Sequence, residues 1–193
     1  MKELAIIGTA GRREDAERLN QDVFDYMCGY AASIVTDLGP TRLISGGAAW
    51  ADHVAVALFN NGIGDELVLH LPAPFANCKY QGNHWKDPGS IANYYHRSFS
   101  NKTHEHRLLQ IQKAIDAGAR IHVYNGFHAR NYVVGRAHDY LLAFTYGTLS
   151  GSWSQYDPEW THHELAGLKD GGTAHTWDNS RSTIKEHVNL NGI

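Results

Sequence analysis

Short apolar runs that end in glycine alternate along this chain with longer amphipathic stretches. That alternation predicts a parallel sheet covered by helices. Leu4-Ala5-Ile6-Ile7 reads as a buried first strand running into Gly8-Thr9-Ala10-Gly11. Over residues 14–37, Leu19, Val23, Tyr26, Tyr30 and Ile34 share one helical face, and Gly39-Pro40 stops the helix. Residues 42–45 form a second strand, followed by Gly46-Gly47 and a small-residue helix over 50–60. Residues 66–71 form a third strand, closed by Pro72 and Pro74.

Periodicity fades over 73–101, a stretch too long for a structureless loop, so it forms a lid or carries short helices of its own. A helix over 102–117 follows, with Leu108, Ile111 and Ile115 on one face. Next come a strand over 120–124, a short helix over 128–137 and a strand over 139–145. A polar, aromatic-rich insertion at 146–170 precedes Gly171-Gly172-Thr173, a last helix and a terminal strand over 187–190. The expectation is one domain over 1–193, with insertions near 73–101 and 146–170. Its fold class is α/β, a Rossmann-like doubly wound, mostly parallel sheet with helices on both faces.

Composition narrows the partners. With 193 residues, 42% hydrophobic and 19% charged, the chain has enough apolar surface for a real core. A formal net charge of −3 without a Lys/Arg block disfavours nucleic acid and favours a small anionic ligand. Cys28 and Cys78 make no CxxC, which points to a reducing compartment, hence the cytoplasm. No stretch approaches a membrane span or a signal-peptide core, so no membrane partner is expected.

Four strand ends carry candidate chemistry. In Gly8-Thr9-Ala10-Gly11-Arg12 the glycines bring backbone N–H groups close to a phosphate, with Arg12 or Arg13 adding charge and the next helix its positive end. Ser45-Gly46-Gly47 repeats the device, where an NAD-binding domain would place a ribose-reading acid. Asp52 follows, read as a helix cap or as a contact to a ribose hydroxyl. Arg130-Asn131 supplies a forked cation and a mixed donor–acceptor, alternatively a surface salt bridge and a turn. Gly171-Gly172-Thr173 leads into His175 and Thr176. Trp50 and Trp177 beside these motifs either stack on a base or pack in the core, whereas Trp85, Trp153 and Trp160 are expected to pack. The thirteen histidines show no metal-ligand spacing; no metal and no resident cofactor are expected.

The order of these motifs resembles the SLOG superfamily, which includes the DNA-processing protein A fold and the lonely-guy phosphoribohydrolases. Ser45-Gly46-Gly47-Ala48 with Ala51-Asp52 looks like its first glycine motif. Phe127-His128-Ala129-Arg130-Asn131 looks like its Arg-Asn motif, and Gly171-Gly172-Thr173 like its second glycine motif. The resemblance implies a nucleotide or nucleoside phosphate at the carboxyl edge of the sheet, often in a homo-oligomer. It also implies a glycosidase glutamate where this chain has Thr176.

The resulting expectation is binding, with sequestration, of a phosphate-bearing nucleotide-derived molecule such as a cyclic nucleotide or an ADP-ribose-like signal. The alternative is a nucleoside-phosphate N-glycosidase using Arg130 and a carboxylate from Glu164, Asp170 or Asp52. A DNA-handling module is disfavoured by charge.

Overall fold

The computed structural model describes residues 1–136, 139–157, 162–169 and 171–193. In chain order the elements are β1 (Lys2–Gly8), α1 (Asp15–Arg18), α2 (Gln21–Leu38), β2 (Thr41–Ser45), a 3-10 turn (Trp50–Asp52) and α3 (His53–Asn60). They continue with β3 (Glu66–Leu71), a small hairpin of β4 (Phe75–Ala76) and β5 (Lys79–Tyr80), α4 (Pro88–Thr103), α5 (Arg107–Asp116) and β6 (Arg120–Val123). The chain finishes with α6 (Phe127–Val134), β7 (Tyr140–Thr145), β8 (Gly151–Ser154), α7 (Gly172–Asp178) and β9 (Ile184–Asn189).

Seven strands form one sheet in the order β6-β3-β2-β1-β7-β9-β8. Every pairing in it is parallel except β8 with β9. Side-chain alternation along the strands divides the core between two faces. Leu4, Ile6, Leu43, Leu67, Leu69, Leu142 and Phe144 join the core that includes α2, α3, α4 and α5. Ala5, Ile7, Ile44, Val68, Leu141 and Ala143 join the core containing Val134 of α6 and Trp177 of α7. The fold is therefore α/β and doubly wound, as the alternation predicts. The chain winds outward from β1 through β2 and β3 to β6, then returns through α6 to β7 on the other side of β1. That reversal between β1 and β7 is where open α/β sheets form a crevice beyond their strand ends.

Several expected boundaries shift for local reasons. The helix expected over 14–37 breaks into α1 and α2, because Leu19 is extended and the Asn20 side chain accepts a hydrogen bond from Val23 N to start a new helix. The stretch 73–101 holds the β4–β5 hairpin and most of α4, which runs on to Thr103. His104, at φ 52, ends α4 in the left-handed region, so the helix expected from 102 starts at Arg107. The helix expected over 128–137 runs from Phe127 to Val134, residue 137 lying outside the described residues. The insertion at 146–170 contributes β8 as an antiparallel edge strand, and the terminal strand begins at Ile184.

Candidate functional site

At the carboxyl ends of β1 and β7 lies an open cleft of about 540 Å³. Ile7 and Gly8 of β1 and Thr145 of β7 reach it from the sheet. Thr9, Ala10, Arg12 and Arg13 line it from the following turn. Phe127, His128, Arg130 and Asn131 come from α6, and Gly171, Gly172, Thr173 and Thr176 from around the start of α7. Three of the four sequence motifs thus converge on one opening. From the motif after β2, only Ala48 and Asp52 reach it.

The turn after β2 is filled from within. Ser45 Oγ donates to Asp52 O at 2.7 Å and accepts from Gly47 N at 3.1 Å. A methyl group on Gly46 would fall 1.7 Å from Arg130 Nη1; on Gly47 it would fall 2.5 Å from Leu71 and 2.8 Å from the Tyr80 hydroxyl. These glycines make room for the protein's own side chains.

Trp50 closes the turn. Its backbone sits at φ 62, a costly conformation for a bulky residue, and its indole packs 4.1 Å from the Phe99 ring, beside Phe24. Gly11 is needed for this packing, because a methyl group there would lie 2.7 Å from Trp50 Nε1. Trp50 and Trp177 are core residues, 2% and 0% exposed, and neither presents a face for a base. Of the two roles weighed for them, core packing is the one they take.

Arg130 is the buried cation of the cleft. Its Nη1 donates to Asp52 Oδ2 at 3.0 Å, with both side chains more than nine-tenths buried, while Nε is buried without a partner among the described residues. The surface salt bridge considered for Arg130 is instead an internal one. Asp52 accepts from Ala48 N at 3.3 Å and makes no side-chain cap to α3, so the capping role is also corrected. Burial pushes the Asp52 carboxyl up from the ordinary aspartate range; the Arg130 charge and the amides of Ala48 and Gly46 pull it back. The pair fixes where the guanidinium stands.

The remaining candidates tie the rim together. Thr9 Oγ1 donates to Asp15 Oδ2 at 2.7 Å and accepts from Gly11 N at 3.2 Å. Thr173 Oγ1 donates to Gly8 O at 2.9 Å, joining the last glycine motif to the first. Asn131, inside α6 rather than in a turn, makes a long 3.4 Å contact from Nδ2 to Gly172 O. Thr176, where the resemblance calls for glutamate, donates to Gly172 O at 3.0 Å. His175 is exposed outside the cleft, with its ring 5.8 Å from His128. The helix expected to point its positive end at the first turn is only the four-residue α1, with Asp15 and Glu17 in its first turn.

Two residues at the cleft escaped the sequence reading, Lys169 and Tyr95. Lys169, from the second insertion, lines the cleft, pairing with Glu14 and, at 3.2 Å, with Asp15 Oδ1. Hydrogen bonding to Glu14 raises its pKa and holds it as a cation. Arg12 is exposed, its guanidinium carbon 5.4 Å from the Tyr95 ring and 5.5 Å from that of Phe127. Contact between an insertion residue and a motif residue leaves no mark in local spacing. Of the alternative carboxylates, Glu164 does not line the cleft, and Asp170 lies outside the described residues, as does Trp160. Among the described residues no three or more His, Cys, Asp or Glu side chains are grouped to hold a metal ion, and no helix is long and apolar enough to cross a membrane.

No protein-family model and no solved structure matches the chain. It is similar to "Uncharacterized protein R261" of Acanthamoeba polyphaga mimivirus, 33% identical over 194 positions that cover 97% of this chain and 95% of the viral one.

Proposed function

The chain belongs to the family of the mimivirus protein R261, and on that premise we propose that its cleft binds a phosphate-bearing, nucleotide-derived small molecule and sequesters it without turning it over. The observation that carries this reading is the charge balance of the lining. Four cations, Arg12, Arg13, Arg130 and Lys169, line the cleft, and the three carboxylates beside them are already paired, Asp52 with Arg130 and both Asp15 and Glu14 with Lys169. A cleft with surplus positive charge in a chain of net charge −3 favours an anion locally. Its volume falls within the usual range for small-molecule sites, roughly 300–1,000 Å³.

The same lining argues against glycosidase chemistry. General acid–base work needs a carboxyl group free to reach the reacting atoms. Asp52 is committed to Arg130, Asp15 to Thr9 and Lys169, and Thr176 offers only a hydroxyl already donated to the backbone. The reading includes a SLOG-like, cytoplasmic protein that works as a homo-oligomer, which sedimentation at several concentrations tests. Binding is tested by titration calorimetry against a panel of nucleotides, with chromatography of the recovered ligand. Saturable heat with unaltered ligand is expected. An absence of heat with every member contradicts binding, and recovery of free base or ribose phosphate contradicts the non-catalytic claim.

A further inference from the structure

The cations of the cleft are not equivalent. Arg130 is neutralised by Asp52, and Lys169 by Glu14 and Asp15. Arg12 and Arg13 have no carboxylate ion pair among the described residues, and of the two it is Arg12 that aromatic rings hold in place. Tyr95 comes from α4 in the first insertion and Phe127 from the first turn of α6, so two separate elements position this one side chain. Rings facing a guanidinium do not use up its N–H groups, which remain free to bind an anion. Phe127 and Arg130 are three residues apart on α6, so they share a face with Cβ atoms about 5–6 Å apart. Arg12 thus rests on a ring of the same helix face that carries Arg130, and both residues line the one cleft.

Resting on the nucleotide reading above, we propose that the cleft selects ligands with two adjacent anionic groups, a bridging diphosphate, with Arg130 on one phosphate and Arg12 on the other. Tyr95 and Phe127 are positioning residues for Arg12. A monophosphate of equal total charge engages only one of the two guanidinium sites. The selectivity lies in the arrangement of charge rather than its amount.

ADP-ribose and AMP carry nearly equal net charge above the second phosphate pKa of about 6, so comparing them at pH 7.5 and fixed salt isolates arrangement. The wild-type chain is expected to bind ADP-ribose about tenfold more tightly than AMP, the worth of one charge-assisted hydrogen-bonded contact. Arg12→Gln, an exposed change, weakens ADP-ribose more than AMP and so removes that preference. Tyr95→Leu keeps the charge and narrows the preference in the same direction, whereas a Tyr95 that serves folding alone leaves the ratio of the two affinities unchanged. Equal affinities in the wild type, or a preference that survives Arg12→Gln, overturns this inference while the nucleotide reading stands. Failure of both ligands and of every other nucleotide to bind overturns both.

Discussion

The turn after β1 leaves Gly8, Thr9 and Arg12 lining the cleft although Trp50 fills the space beside Gly11, whereas the two glycines of the turn after β2, one strand away, make room only for Arg130, Asp52, Leu71 and Tyr80. Both begin as a buried strand running into glycine, and Ala51 N donates to Thr9 O at 3.2 Å to brace one against the other. Glycine at a strand end creates room without specifying what fills it. After β2 the occupant is an internal cation, and the second turn thereby becomes the socket that presents Arg130 to the first.

The largest effect is expected from breaking that socket. Asp52→Ala leaves the Arg130 charge buried and unpaired, a loss of about 3–5 kcal/mol in denaturant unfolding. A loss below about 1 kcal/mol, the scale of an exposed pair, would show that the turn after β2 is as open as the one after β1.

Acid acts next, on the core beneath the filled turn. His53 and His96 are fully buried, with rings 5.7 Å apart. Burial lowers the pKa of His53 well below its usual value and brings His96 to about 4. The unfolded chain takes up protons as the pH falls through about 6.5 while the folded chain does not, so stability is full above that pH. The loss accumulates between about pH 6.5 and 4, and His96 alone contributes on the order of 3 kcal/mol. Urea midpoints across that range measure it, and His96→Phe should flatten the curve.

Gly46→Ala sharpens the comparison more selectively. The added methyl group meets Arg130, so the side chain must move; overpacking costs about 1–3 kcal/mol and nucleotide affinity falls with it. Gly172→Ala, whose methyl group would meet only Asn131 Nδ2 at 3.2 Å, should be milder in thermal unfolding. Smallest is Thr173→Val, which removes the hydrogen bond to Gly8 O and costs about 1 kcal/mol, measurable as a shifted urea midpoint.

The sheet was legible because its strands are buried on both faces and so read as continuous apolar runs, Leu4 and Ile6 facing one layer and Ala5 and Ile7 the other. The convergence of Thr9, Arg130 and Thr173 was legible because strand ends in a doubly wound sheet share an edge. What the Ser45-Gly46-Gly47 turn holds was not, since an empty Cβ position looks the same whether a phosphate or Arg130 fills it. Trp50 was ambiguous for a related reason, its burial depending on Phe24 and Phe99, far away in sequence. Lys169 reaches Asp15, and Tyr95 reaches Arg12, from insertions whose own periodicity carries no signal.

Whether the cleft between β1 and β7 is the ligand site is tested most directly by following backbone amide resonances during titration with ADP-ribose. The largest shifts are predicted at Thr9, Arg12, Asn131, Gly171, Gly172 and Thr173, saturating together with one dissociation constant. Saturable shifts confined instead to the hollow lined by Cys28, Asn60 and Lys113, with those six amides unmoved, would contradict it.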